Sequence, residues 1–460
     1  MHLLLWILAC AVAALALRRH PAAAALAVVA LWFTVPAAGS YLLTGQSDGW
    51  LSLHAATWLI FMILVFQVTF EPSVLAEAAA RHIYAVVVMA AVLASAILST
   101  AVNGQGEGGV LLVDQILAPA LFFLFVVGSA ARDGRVVPWL RNGLLALGAL
   151  VCLVAVAQWL TGSVLFYEAG FRTRYWFNPE GPRWMGLLDQ PLTLSLAACV
   201  VAPLTVSLRR LWLQVALLAL FGAGVLISQS RVGLIVLAAV ILYVAVATRK
   251  PAAARVGLLG VLAALVAWAL SGPLAEGLLN RLEDDNGSAA ARTSAVLTVL
   301  KRWPEYLFEG QGISGSYRVA DQGGLGTSLE NSFLMYGVDL GLFFSLLYFG
   351  LLTVLVLKNF RRTLPGGLAV AGLLAIAIPQ TYSGLATRSA AAILLWTVVA
   401  LIVAEGERSR TPARPERHGG RHRTTGASRT AVEKPTVRDE AVHRVAAASG
   451  ATAVRAAGPE

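Results

Sequence analysis

Charge is what this chain has least of: Asp, Glu, Lys and Arg together make up 13% of its 460 residues, against 58% hydrophobic residues. So few charged groups exclude an ordinary soluble domain, whose surface needs about a quarter of its residues charged. Cysteine is nearly missing too. Cys10, Cys152 and Cys199 are the only three, and each falls in an apolar run where a thiol behaves as a small apolar group. No disulfide framework and no zinc-ligand spacing exists. No D-x-D pair or metal-ligand cluster occurs in the polar segments, which agrees with chemistry that uses no metal or other cofactor. No basic stretch precedes the first apolar run, and Arg18 and Arg19 follow it, so that run is expected to stay in the mature chain rather than act as a secretory signal.

What is present is apolar length. Mean hydropathy is +0.73, and runs near 3–17, 22–44, 51–70, 83–102, 110–131, 140–161, 187–207, 211–229, 232–248, 256–271, 332–357, 367–385 and 388–404 are each near the ~20 residues needed to cross a 30 Å hydrocarbon core. The expected fold is an all-α polytopic integral membrane protein with about 12–13 spans, occupying residues 1–404. The formal charge of +10 raises the question of a nucleic-acid partner, but residues 405–460 hold 11 Lys/Arg against 7 Asp/Glu. That Arg-, Pro- and Ser-rich tail reads as disordered and cytoplasmic, suited to anionic membrane lipids and orientation rather than to nucleic acid.

Basic residues stay on the cytoplasmic side of short loops. Alternate loops hold 14 of them, from Arg18 and Arg19 to Lys358, Arg361 and Arg362, whereas 45–50 and 103–109 hold none. The C-terminus is therefore assigned inside, and two longer segments, 162–186 and 272–331, are assigned outside. His54, Asp114, Gln158, Asp189, Arg231, Gln380, Tyr382, Arg388, Glu330 and Asn331 then all fall at outer helix ends. Each alone reads as a satisfied helix end. Together they imply a polar cavity open to the outside, because ionisable groups at membrane depth face a bundle interior or water.

Outer arginines break the charge rule and need a reason. In "GVLISQSRVGLIVL", Arg231 sits in a tight turn beside Ser228, Gln229 and Ser230, which can cap the flanking helix ends. A snorkelling arginine is the plain reading. A guanidinium held in a partly dry turn also fits a pyrophosphate, through two parallel charge-assisted bonds. "YEAGFRTRYWFNPEGPRWMGLLDQP" interleaves Arg172, Arg174 and Arg183 with Tyr175, Trp176, Phe177 and Trp184. Such a mixture is an interfacial belt, or a seat for a sugar on an anionic head group. In the larger outer segment, "PLAEGLLNRLEDD" and "GSAAARTSAVLTVLKRWPEYLF" carry apolar residues at helical spacing and are expected to lie as amphipathic helices on the membrane. "GQGISGSYRVADQGGLG" holds six glycines between 310 and 326, a flexible stretch of the kind that closes over substrates.

Finally, "LGTSLENSFLMYGVDLGLF" sets Glu330 and Asn331 at the mouth of an apolar helix. Thr327 and Glu330 match the T-x-x-E capping box, which alone explains the acid. The positive end of the helix dipole favours a carboxylate there, and beside an acceptor hydroxyl it is placed to be a general base.

"SQSRVGL" followed about 100 residues later by "ENSFLMYGVDLGL" resembles the O-antigen ligase and polysaccharide polymerase family of bacterial membrane glycosyltransferases. "RWMGLLDQPLTLSLA" is similar to that family's R-x-x-G…(D/H)-P segment, and "ARTSAVLTVLKRWPEYLFEGQGISGS" to its Arg…Pro…G-x-G run. The likeness spans about residues 180–345. It implies a metal-independent inverting transferase of the bacterial plasma membrane, with its site facing outside, that takes a glycan from an undecaprenyl-pyrophosphate carrier and passes it to a glycan or lipid-linked acceptor. Arg231, Arg183 and Arg292 match the pyrophosphate-binding arginines, with Asp189 and Ser230 nearby in those motifs. Where ligases of the family carry His, this chain carries Glu330, which keeps a base in place. Polymerase and ligase are both open on this reading. A flippase for the same lipids is the rival, although repeated halves are not evident.

Overall fold

The computed structural model describes residues 1–103, 108–174, 177, 183–248, 250–270, 285–325 and 328–410. Every regular element among the described residues is helical. The chain runs through α1 (His2–Leu17), α2 (Pro21–Thr34), α3 (Tyr41–Thr44), α4 (Ala55–Phe70), α5 (Pro72–Arg81), α6 (Ile83–Asn103) and α7 (Gly108–Leu112). There follow α8 (Ala118–Arg132), α9 (Val136–Thr161), α10 (Glu168–Phe171), α11 (Pro191–Val201), α12 (Leu211–Ile227), α13 (Arg231–Ala247) and α14 (Ala252–Leu270). The last group is α15 (Asp285–Lys301), α16 (Gly315–Gln322), α17 (Ser332–Leu340), α18 (Leu342–Thr363), α19 (Leu368–Ala377) and α20 (Ala391–Arg408).

The expected apolar runs are helical, but they differ in length and several are bent or broken. Among the described residues four helical stretches are long and apolar enough to cross a membrane: Ile83–Asn103, Gly108–Arg132, Val136–Thr161 and Leu342–Gly366. Two bent pairs raise the count to six, and the other apolar helices are shorter. The reasons are local. The second apolar run bends by 85° between α2 and Ala37–Thr44, at Pro36, and the chain turns by 102° between α4 and α5, where Pro72 starts a new helix. Proline supplies no N–H and disfavours the helical conformation for the residue before it. The run expected over 332–357 is cut at Gly341, whose φ of 103° no helix accommodates. Gly108–Arg132 is continuous but carries a π-helical turn over Val113–Leu117, at Asp114.

α20 is the central helix. Nearly all of its residues are buried, and it packs on α8, α18 and α19. It runs to Arg408, past the expected end at 404, and the expected disordered tail lies outside the described residues from residue 411 onward.

Polar contacts join several of the loops. Loops assigned to the cytoplasm meet each other through Arg81 and Glu407 at 3.3 Å, Arg132 and Glu77 at 3.1 Å, and Arg408 donating to the Gly134 carbonyl at 2.7 Å. Loops assigned outside meet through Arg388 and Asp114 at 3.0 Å and Asn103 donating to the Gly310 carbonyl at 3.1 Å.

The outer segments differ in part from expectation. The proposed first amphipathic helix lies almost wholly outside the described residues. In α15, Ala295 and Val299 are buried while Val296 and Leu300 are exposed, as is Trp303 just beyond the helix. The glycine-rich stretch is no loose flap at its start: Gln311 N donates to Val338 O at 2.8 Å and Gly312 N to Asp339 O at 3.1 Å. Gly310 there lies against the Asp339 and Leu340 backbone, so closely that any side chain would collide with it. Asp339 Oδ1 then accepts from Ser316 N at 2.7 Å, closing the start of α16 from the side.

Candidate functional site

α17 starts at Asn331, not at Thr327. Asn331 is its N-cap, with Oδ1 accepting from Leu334 N at 3.0 Å. Glu330 therefore precedes the helix rather than standing in its first turn. Its φ of 47° puts a non-glycine residue in the left-handed region, and its own N–H donates to Ser328 Oγ at 3.1 Å. The expected capping box involves Thr327, which lies outside the described residues.

The start of α17 is laced to the segment after α19. Asn331 Nδ2 donates to Gln380 O at 2.8 Å, and Gln380 Oε1 accepts from Phe333 N at 2.9 Å. Ser332 Oγ donates to Tyr382 O at 3.0 Å, and Tyr336 OH to Leu385 O at 2.9 Å. One amide side chain on each strand of this junction thus satisfies backbone of the other, which fixes the exit of α19 against the entry of α17.

The second group forms at the entry of α13. Ser230 caps it, Oγ accepting from Gly233 N at 3.1 Å, and Arg231 is the first helical residue. Gln229 turns the chain there with φ 54°. Arg183 reaches this turn from the preceding outer loop: its Nε and Nη2 both donate to Ser228 O, at 3.1 and 3.0 Å. Its fork is aimed at a carbonyl, and it serves as a brace for the turn that carries Arg231. Gly233 sits against Ser195 of α11 with no room for a side chain.

Both groups border one element. The 3₁₀ turn Ile378–Thr381 packs against α17 and against α13, and Asn331 reaches its Gln380 carbonyl. Arg292 lies on α15, which also packs on α17; its side chain is outside the described residues.

Asp189 stands apart, in the loop before α11, which begins at Pro191. Its Oδ1 accepts from Ala37 N at 2.6 Å. Burial pushes its carboxyl up to about 6, against the lowering pull of the Ala37 N–H and the Arg174 and Arg388 charges. It lines an outer cavity of about 1010 Å³, together with Arg174, Arg318 and Arg388. Arg388 and the acid behind it, Asp114, were visible in sequence as outer polar residues. Arg318, within the glycine-rich stretch, gave no signal. Under the cavity, His54 stacks on Trp32 with ring centroids 3.6 Å apart and bonds Val35 O at 2.7 Å.

Among the described residues no group of three or more His, Cys, Asp or Glu side chains is placed to hold a metal ion. A scan against protein-family models matched none, and a search of the curated proteins returned no match.

Proposed function

We propose that the chain is a membrane glycosyltransferase that moves or polymerises a glycan from a polyprenyl-pyrophosphate-linked donor at the outer face of the bacterial plasma membrane. The observation that supports it is that two helices, one preceded by Glu330 and capped by Asn331 and the other capped by Ser230 and begun by Arg231, both pack on the turn Ile378–Thr381. Helix starts present backbone N–H groups and the positive end of the dipole to anions. An arginine at the first position of α13 adds a full charge to that field.

In this reading the acceptor hydroxyl oxygen attacks C1 of the donor sugar, and the C1–O bond to phosphate breaks. The electron pair leaves with the polyprenyl pyrophosphate, whose charge Arg231 neutralises. Glu330 takes the hydroxyl proton, and Asn331 holds the turn that orients the acceptor. Arg183 acts through the Ser228 carbonyl, keeping the Arg231 turn in place, and Asp189 acts in the neighbouring cavity.

The test is transfer in proteoliposomes supplied with a short glycan on polyprenyl pyrophosphate and a lipid-linked acceptor. Arg231→Ala and Glu330→Gln are expected to insert normally and to lose at least about 10²-fold in rate. Full transfer by both variants refutes the reading. The break in the chain at Gly341 is the feature that a lipid-glycan flippase would share, since transporters place discontinuous helices at their binding sites. Movement of labelled carrier lipid across vesicles without chemical change would favour that reading.

A further inference from the structure

A second cavity, of about 280 Å³, lies between two turns of the chain that are remote in sequence from the residues assigned to transfer. One turn, Leu17 to Pro21, joins α1 to α2. The other is the 102° corner between α4 and α5. α1 and α2 both pack on α4, which brings the hairpin against the corner, and Phe125 of α8 completes the lining.

The lining is graded from apolar to cationic. Its buried members are Ala14, Ala24, Ile63 and Phe125, and its exposed ones are Arg18, Arg19, Phe70 and Glu71. An apolar depth under a cationic mouth suits neither a free ion nor a hydrocarbon, but an amphiphile with an anionic head. The mouth stays positive after the acids around it are counted. Glu71 lies 3.6 Å from Arg132, which also meets Glu77 at 3.1 Å, and Asp133 Oδ1 accepts from Arg135 N at 2.8 Å. α1, α2 and α4 carry no acid at all. Those three carboxylates therefore stand beside Arg132 and Arg135, while neither Arg18 nor Arg19 forms an ion pair among the described residues. The Arg18 guanidinium lies instead over the Phe70 ring, 4.7 Å from its centre, a contact that positions the charge without neutralising it. The charge rule assigns this end of the chain to the cytoplasm, the side on which basic pockets between membrane helices take lipid headgroups.

We infer that this pocket holds the phosphodiester headgroup of an anionic membrane phospholipid, its phosphate oxygens on Arg18 and Arg19 and the first carbons of its chains on Ile63, Phe66 and Phe125. A volume of about 280 Å³ is near the ~300 Å³ lower end of ligand pockets. It takes a headgroup and the start of the chains, whose remainder runs into the surrounding hydrocarbon. The lipid has a structural consequence. α1 buries only Leu3, Cys10 and Ala14, and a headgroup seated between its end and the α4 corner fastens it to the bundle. None of this depends on the transferase reading.

The test is native mass spectrometry of the full chain in an uncharged detergent, titrated with dioleoyl phosphatidylglycerol, dioleoyl phosphatidylcholine or inorganic phosphate. The first phosphatidylglycerol is expected to bind at least about tenfold more tightly than phosphatidylcholine. Inorganic phosphate, which leaves the apolar depth unfilled, is expected not to displace it at equal concentration. Arg18→Gln combined with Arg19→Gln is expected to weaken the first phosphatidylglycerol about twentyfold, at about fivefold for each arginine. Arg361→Gln combined with Arg362→Gln removes two exposed arginines assigned to the same side and is expected to leave that binding unchanged. All four side chains are exposed, so both variants keep the fold, which gel filtration verifies. Equal binding of the two lipids, parental binding after loss of Arg18 and Arg19, an equal weakening after loss of Arg361 and Arg362, or displacement by phosphate overturns the inference.

Discussion

Arg388 Nε donates to Asp114 Oδ2 at 3.0 Å across a sequence separation of 274 residues. Asp114 is fully buried, and the arginine side chain retains 21% of its surface. The same carboxylate accepts from Thr57 Oγ1 at 2.7 Å and from His54 N at 3.0 Å, while Arg388 Nη2 donates to Ser52 O at 2.6 Å. One ion pair therefore ties the start of α4, the π-turn before α8 and the loop before α20. Removing a single partner of a buried pair leaves a charge in a dry site, which costs about 3–5 kcal/mol. Arg388→Ala is expected to lower the thermal unfolding temperature in detergent sharply. Asp114→Asn combined with Arg388→Gln is expected to recover most of that loss. If Arg388→Ala unfolds with the wild-type chain, the pair is not holding these elements.

Glu330 offers a way to divide chemistry from folding. A non-glycine residue with φ of 47° pays roughly 1–2 kcal/mol for a left-handed backbone, and strained residues of this kind gather at functional sites. Glu330→Gly relieves that strain while removing the carboxylate. The variant is expected to be as stable as the parent or more so, by up to about 1 kcal/mol, and to lose at least about 10²-fold of its transfer rate. A fully active glycine variant would mean that the acid plays no part in the reaction.

The sequence made the class of fold plain, because hydropathy is summed over whole runs and tolerates local error. Where the runs break was harder to read. Pro72 announces its turn, but Gly341 looks like any glycine in an apolar helix until Phe308 O and the Asp339 backbone are found packed around that bend. At the candidate site only the Thr327–Glu330 pattern read as a cap, whereas Asn331 is the N-cap of α17. It is held there by Gln380, whose carbonyl takes the Asn331 amide from 49 residues away. Arg183 was legible as an outer arginine, yet only the fold shows it spent on the Ser228 carbonyl. The cavity arginines come from three remote stretches, and no local pattern could have joined them.

Asp189 sets a pH dependence opposite to that of an ordinary paired carboxylate. Its folded-state value is raised from 3.8 to about 6 by burial, so the folded protein holds this proton more tightly than the unfolded chain. Its contribution to stability is then fully present below about 4 and is lost as pH rises to about 6, by about 3 kcal/mol in all. Asp189→Asn, which keeps an acceptor for Ala37 N–H, is expected to flatten that part of the curve. Thermal unfolding measured at intervals from pH 4 to pH 7.5 checks it. A wild-type chain equally stable across the window, or an asparagine variant with the same slope, would assign the dependence elsewhere.

Asn331 performs two tasks with two ends of one amide, and substitution can take them apart. Oδ1 caps α17, and Nδ2 donates to Gln380 O at 2.8 Å. Asn331→Ala removes both and is expected to cost about 1 kcal/mol for the cap, with more from the carbonyl left unpaired. Asn331→Asp retains an acceptor for Leu334 N–H but faces Gln380 O with a second acceptor, which pushes the turn Ile378–Thr381 away from α17. If capping were the whole role, the aspartate variant would match the parent in both stability and transfer. Because that turn also packs against α13, we expect the aspartate variant to stay folded and to lose about tenfold or more in transfer rate. A rise in KM with an unchanged maximal rate would place the defect in acceptor or donor binding. Gln380→Ala, acting on the same junction from its other side, should reproduce the rate loss while leaving the Asn331 cap intact.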